Sequence, residues 1–302
     1  MKLTPRFRIL TATAVVAVLS AASAGQSAAQ QSAFLMGLLS RDAAADGATN
    51  PLHGDFARAQ LRHPRVFDAR VNARHGIKKL FRERDIPYPA AEVFMRVFKR
   101  ERILELWARP AGGDRFALLK EYAICALAGE IGPKRKQGDN QTPEGFYEID
   151  SFNPNSEYLL SLHVDYPNAS DRVLSDRSSP GGAIFIHGGC KTLGCIAITD
   201  EAIEELYWIA VEARSSGQER IPVHIFPSRL TDTELAMLEG AFEASPTLVD
   251  FWRNLQPGYL YFERNRVVPR VSVDARGRYL FTDAYRGQRV GSAGEAAATN
   301  RR

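Results

Sequence analysis

The chain has 302 residues, 45% hydrophobic and 25% charged, an ordinary globular composition that suits one sizeable domain with appendages. The formal net charge of +4 includes Lys2, Arg6 and Arg8; without these, 36 basic residues face 35 acidic ones, and a net +1 gives no footing for nucleic-acid binding. The three cysteines, Cys125, Cys190 and Cys195, are too few for a disulfide scaffold.

Residues 1–24 read as a secretory signal peptide: a basic start, an apolar run over residues 9–22 too short for a comfortable membrane span, and the small-residue site Ala22-Ser23-Ala24. An exported chain without that segment is expected to carry no membrane span. Residues 25–91 read as a flexible leader followed by a helical segment, with helix over residues 56–81 and a charged, solvated face. Ile86-Pro-Tyr-Pro ends it.

Strand texture begins at Glu92. Residues 93–98 and 102–107 predict a hairpin, and residues 116–127 a further strand carrying Cys125. A Gly-, Pro- and Lys-rich stretch over residues 129–145 is long for a plain connection and is expected to line a site. Residues 146–150 and 158–163 predict short strands, so the domain is expected to be sheet-based and largely antiparallel. A helix capped by Thr199 or Asp200 follows, with Ile203, Leu206, Tyr207, Ala210 and Val211 on one face. Residues 221–226 predict a strand that closes the sheet. Thr231-x-x-Glu234 opens another helix, a further one is placed at residues 248–255, and residues 259–285 read as short aromatic strands. The fold class expected is α+β, a β-rich catalytic domain at 92–227 with helical flanks, a C-terminal appendage at 228–286 and a disordered tail at 287–302.

The stretch Ile-Phe-Ile-His-Gly-Gly-Cys-Lys-Thr-Leu-Gly-Cys-Ile-Ala-Ile-Thr-Asp, residues 184–200, carries the chemistry. A strand-like run delivers His187, and Cys195 follows eight residues later with glycines beside both. A thiolate is the nucleophile, an imidazole can generate it, and glycines let backbone N–H groups approach a reacting carbonyl. Three other readings compete. A zinc site on His187, Cys190 and Cys195 would need His163 or His224 as a fourth ligand, and no C-x-x-C pair supports it. A disulfide, Cys190–Cys195 or Cys125–Cys190, is open, although Cys125 and Cys190 read first as small packing residues. A phosphate loop fails because the glycines do not follow that pattern.

His-Gly-Gly-Cys-Lys-Thr-Leu-Gly-Cys-Ile-Ala-Ile-Thr-Asp resembles the active-site signature of the L,D-transpeptidase (YkuD-type) catalytic domain, and most the branch labelled YafK-like. Phe116-Ala-Leu-Leu-Lys, Gly132-Pro-Lys, Pro143-Glu-Gly-Phe-Tyr and Tyr166-Pro-Asn agree in order. The resemblance implies a periplasmic, cofactor-free enzyme acting on peptidoglycan stem peptides. It implies Cys195 as nucleophile, His187 as base and acid, the Gly188 carbonyl as orienter, and the Gly194 and Cys195 N–H groups as oxyanion donors. The commoner motif has a histidine where Leu193 stands, and an arginine or asparagine near Ala197. The resemblance also allows an amidase-like role that detaches an outer-membrane lipoprotein or barrel protein from peptidoglycan. A non-catalytic peptidoglycan-binding module is the reading from another class, and the presence of both His187 and Cys195 argues against it.

Substrate contacts are expected from Thr192, from His163 unless it is a satisfied structural histidine, and from Lys134 in the basic run Lys134-Arg135-Lys136 unless that run is only solvated. Arg172 is either a carboxylate fork for substrate or the partner of Asp171 or Asp176. Trp107, Trp208 and Trp252 are expected in the core.

Overall fold

The computed structural model of the chain describes residues 54–284. The expected signal peptide, most of the leader and the tail at 287–302 lie outside the described residues. No helix among the described residues is long and apolar enough to cross a membrane.

The helical segment before the sheet is two helices, α1 (Asp55–Gln60) and α2 (Pro64–Glu83). Pro64 occupies the first turn of α2, where its missing N–H costs nothing, so the chain restarts there instead of running through. The strands are β1 (Glu92–Phe98), β2 (Ile103–Arg109), β3 (Ala117–Ala123), β4 (Ala126–Leu127), β5 (Gly145–Asn153), β6 (Ser161–Val164), β7 (Ile184–His187), β8 (Ile196–Ala197) and β9 (Ile221–Phe226). Between them stand α3 (Ala169–Leu174) and α4 (Asp200–Ser215), and after them α5 (Asp232–Ala241), α6 (Pro246–Asn265) and the hairpin β10 (Pro269–Val273)–β11 (Tyr279–Ala284).

One nine-stranded sheet has the order β3-β2-β1-β9-β5-β6-β7-β8-β4. The sheet is largely antiparallel, as expected, with two parallel pairings, β1 with β9 and β7 with β8. Two expectations are corrected here. The strand β9 is central: all six of its residues are buried, the mark of a strand covered on both faces. The stretch at 116–127 is two strands at opposite ends of the sheet order. The Ile124 N–H reaches the Arg102 carbonyl beside β2 at 2.8 Å, and the next N–H, of Cys125, reaches the Ala197 carbonyl in β8 at 3.0 Å. Two successive residues thus join the two ends, and the sheet curls toward closure.

One face of the sheet packs on α4 and α2 through Val93, Met95, Ile149, Leu162, Ile186 and their neighbours. Thr199 caps α4, its side chain accepting from the Ala202 N–H, and the five apolar residues expected on that helix are all fully buried. The other face, between β2 and β5, is covered by α6. The helix runs ten residues past its expected end, through Pro257, so the strand expected from Tyr259 starts only at Pro269. Trp252, Leu255, Tyr259 and Phe262 recur at helical spacing, and their burial against Phe98, Phe146 and Phe226 outweighs the hydrogen bond that Pro257 omits. All three tryptophans are buried.

Candidate active site

The parallel register of β7 and β8 sets Ile186 beside Ile196 and His187 beside Ala197. One residue earlier, Cys195 falls beside Phe185. Strand alternation turns His187, Phe185 and Cys195 to one face, and Ile184, Ile186 and Ile196 to the α4 side. Strand spacing and rise put the Cα atoms of His187 and Cys195 about 8 Å apart. This face is the one α6 covers farther along the sheet; at β6, β7 and β8 it carries Ser161, His163, Phe185 and His187 in lateral register.

His187 is 2% exposed. Its Nδ1 lies 2.6 Å from the Gly188 carbonyl, which accepts the proton on that nitrogen and leaves Nε2 as the basic atom. The Tyr158 ring stacks on the imidazole at 4.5 Å and 24°. Burial lowers the His187 pKa from its ordinary 6.5, and the Gly188 carbonyl opposes that shift. A side chain at Gly188 would meet Asp200 Oδ1 at 2.4 Å and the Tyr158 carbonyl at 3.0 Å, so only glycine fits. Asp200, in the first turn of α4, accepts from the Gly189 N–H at 2.9 Å and holds the turn from behind.

Cys195 is the free cysteine, and it is half-buried. Its thiol donates to the Ala183 carbonyl at 3.5 Å and not to the imidazole; such contacts commonly tighten only when substrate is bound. Burial raises the thiol pKa from its ordinary 9.0, against smaller opposing contributions from the Phe185 backbone and Thr192. At neutral pH the resting pair is therefore thiol and neutral imidazole. Gly194 takes φ +156°, a conformation that favours glycine.

The expected oxyanion donors are engaged. Thr192 Oγ1 accepts from the Cys195 N–H at 2.7 Å and from the Gly194 N–H at 3.2 Å. Thr192, expected to meet substrate, here holds the nucleophile turn as a local side-chain cap. From the other side, Thr142 Oγ1 donates to the Cys195 carbonyl at 3.3 Å. The 129–145 stretch thus walls Cys195.

Lys134 is corrected as a carboxylate contact: it is 5% exposed, pairs with Asp139 and donates to the Lys136 carbonyl at 2.9 Å. Its ammonium closes its own loop and is not offered to substrate. Arg135 pairs with Asp171 at 3.3 Å, so Asp171 is not the partner of Arg172. Arg172 is exposed on α3 and makes no ion pair among the described residues. His163 is half-buried, with Nδ1 2.6 Å from Asp150 Oδ1, and packs edge-on to Phe185 at 5.0 Å.

Of the pairings left open by the sequence, Cys125–Cys190 is the disulfide present, with Cα atoms 5.3 Å apart across a separation of 65 residues. The bond ties the sheet closure to the loop between His187 and Cys195, and it removes Cys190 from the zinc set weighed above. Sequence reasoning missed Asp150, Tyr158, Thr142 and the inward turn of Asp200. Asp150 lies at a bulge in β5, where simple alternation would not place it beside His163. Tyr158 carries no motif signal of its own.

The L,D-transpeptidase catalytic domain (YkuD) model matches residues 97–225. The chain is 37% identical over 190 residues to YafK, a candidate L,D-transpeptidase of Escherichia coli K12, covering 62% of this chain and 73% of that protein; the YafK of strain O157:H7 matches equally. Among solved structures it is similar to the helical cell shape determining protein Pgp2 of Campylobacter jejuni, with 21% identity and a TM-score of 0.37 over 60% of this chain and 73% of that one. Bd1075 of Bdellovibrio bacteriovorus gives 20% identity and a TM-score of 0.33 over 54% and 57%. The family model spans both His187 and Cys195, and the identity to YafK extends over most of that protein's length: the chain belongs to the L,D-transpeptidase family.

Proposed function

We propose that Cys195 attacks the amide carbonyl at the L-centre of meso-diaminopimelate in peptidoglycan stem peptides, with His187 as general base and then acid, in the periplasm. The carrying observation is the pair itself: a buried imidazole at the end of β7 and a free thiol one residue before the neighbouring β8, the imidazole oriented by the Gly188 carbonyl at 2.6 Å. The neutral resting state suits general-base attack and not a preformed ion pair. The thiol leaves the Ala183 carbonyl and gives its proton to Nε2 as sulfur bonds to carbon. The developing oxyanion turns to the Gly194 and Cys195 N–H groups, and Thr192 Oγ1 swings aside. Each such donor contributes about 3 kcal/mol. The imidazolium then protonates the leaving amine, giving the acyl-enzyme.

An amine acceptor completes L,D-transpeptidation, either as a 3-3 cross-link or as attachment of a protein. Hydrolysis that releases a protein from peptidoglycan is the second reading. It is favoured by Leu193, 81% exposed between the base and the nucleophile, because an exposed apolar lip suits a protein leaving group better than a small amine. Wild-type protein incubated with a diaminopimelate tetrapeptide muropeptide is expected to gain the acyl mass on the Cys195 peptide. No adduct, together with a Cys195→Ser variant that processes cell wall as fast as wild type, would overturn the proposal. New 3-3 cross-links in the presence of an amine acceptor mark transfer; released protein or trimmed peptides mark hydrolysis.

A further inference from the structure

A cleft of about 770 Å³ lies on the sheet face that carries Cys195, between the β5 and β9 strands and the C-terminal hairpin β10–β11. Four observations make it a built site and not a packing gap. First, Arg220 lies 3.5 Å from Glu148 and 3.8 Å from Asp165, too long for tight charge-assisted hydrogen bonds, which run about 2.7–2.9 Å. One guanidinium thus serves two carboxylates loosely, and its fork has capacity for a further carboxylate. Second, burial raises the Asp165 pKa above its ordinary 3.8, a cost that an incoming cation would relieve. Third, Arg270 on β10 and Glu219 beside Arg220 bring a second charge of each sign to the lining. Fourth, His224 also lines the cleft, 2% exposed, and its Nδ1 has no hydrogen-bond partner. Buried polar atoms are normally satisfied, and one left open beside a cavity marks a place for a polar group of a ligand. Burial and then Arg96 hold His224 neutral, so the ring does not repel a cation.

The cleft lies on the same sheet face as Cys195, several strands away. Cys195, Phe185, His163 and β5 follow one another across neighbouring strands, three strand spacings or about 14 Å. Asp150, the partner of His163, stands two residues along β5 from Glu148, a cleft residue.

We propose that this cleft binds an α-amino-acid head group, its ammonium on Asp165 and Glu148 and its carboxylate on Arg220. Resting on the proposed peptidoglycan substrate, the source would be the free D-centre of diaminopimelate in a stem peptide other than the one at Cys195. The cleft then acts as an anchor that raises the local concentration of cell wall at the thiol, as a second binding event does in any bivalent system.

The test uses the mature chain with Cys195→Ala, so that nothing is consumed, titrated with meso-diaminopimelate by calorimetry while the His224 ring nitrogens are followed by NMR. Saturable binding is expected, with a shift of the His224 resonances, and with affinity at least tenfold weaker in Arg220→Gln and in Asp165→Asn. Cadaverine and pimelate, which carry only the ammonium or only the carboxylate groups, are expected to bind at least tenfold more weakly. A diaminopimelate tripeptide serves as the second arm: equal affinity for both identifies the head group alone as the ligand, and tighter tripeptide binding identifies the stem as its source. No binding by folded protein, or binding that survives both substitutions and leaves His224 unmoved, would overturn the inference. The adduct at Cys195 in wild-type protein is read separately. An adduct without cleft binding sinks only the anchor, and cleft binding without an adduct sinks only the acyl-enzyme reading.

Discussion

Two histidines stand on one face of one sheet, each 2% exposed, and they have been put to opposite ends. His224 lies under α6 between Phe94 and Phe146, both with ring centroids 4.6 Å away. His187 lies where α6 does not reach, with the Gly188 carbonyl 2.6 Å from Nδ1 and Tyr158 stacked on its ring. Burial depresses the basicity of both. Burial therefore does not separate them; the oriented carbonyl and the neighbouring thiol do, and they are why the base is proposed at His187. The covered half fills the same face with Phe98, Phe146, Phe226, Trp252 and Tyr259, and it buries whole ion pairs. Arg96 holds Glu105 at 2.6 Å, and Lys99 holds Glu144 at 3.1 Å. The open half keeps Ser161, His163 and Ala197 there instead, too small or too polar to hold a helix down.

Substitution separates the two histidines most sharply. His187→Gln is expected to slow formation of the Cys195 adduct by about 10²–10⁴-fold, measured by time-resolved mass spectrometry, with little change in thermal unfolding. His224→Phe, which matches its aromatic surroundings, is expected to form the adduct from a small muropeptide at a rate within a few-fold of wild type. Equal losses in both variants would abolish the distinction.

The covered half should answer in stability. Lys99 donates to the Gly132 and Thr142 carbonyls at 2.7 and 2.9 Å, while Glu144 accepts from the Gly132 N–H and from Trp252 Nε1 at 2.6 and 2.8 Å. Lys99→Met removes the buried cation that pairs with Glu144, and is expected to cost about 3–5 kcal/mol in urea unfolding. Adding Glu144→Gln should recover part of that loss. The walls of the open half rest on this pair, so adduct formation should slow in the single variant even under folding conditions.

The disulfide tests how far the open half depends on covalent support. Replacing Cys125 and Cys190 together by alanine is expected to lower stability by about 2–4 kcal/mol, read by urea unfolding, with a smaller fall in adduct rate. Thr192→Val frees the Gly194 and Cys195 N–H groups that the oxyanion needs, so acylation should quicken by about tenfold, the worth of roughly one hydrogen bond, and Thr192→Ser should return it to the wild-type rate. The smallest effect is in the pH profile. Neutral His187 is the active form, and its pKa lies below 6.5, so kcat/KM should fall with acid only below that value. His224 stays neutral in that range and should add no second proton to the limb.

Much of this was legible from residue order. Local signals suffice where the cause is local. Thr199 caps α4, and the spacing of Ile203, Leu206 and Tyr207 buries one helix face. Gly188 and Gly194 permit turns that no side chain allows. The motif from His187 to Cys195 is contiguous, so the candidate pair could be named before any strand was placed. Other features depended on distant segments meeting. Lys134 reads as a free cation until Asp139 and the folded loop enclose it. Thr192 reads as a substrate contact until its hydroxyl is found on the N–H groups of the nucleophile turn.

The sequence by itself determined the types and spacing of the reacting groups, because those lie within one short stretch of chain. Only the tertiary structure decided what surrounds them. The sheet curls until Ile124 and Cys125 bond to its two ends, and that closure brings Cys125 to Cys190. The reach of α6 along one face sets which histidine lies packed among phenylalanines and which is left beside a thiol. These outcomes rest on contacts between residues far apart in the chain, where burial and register, not local preference, carry the energy.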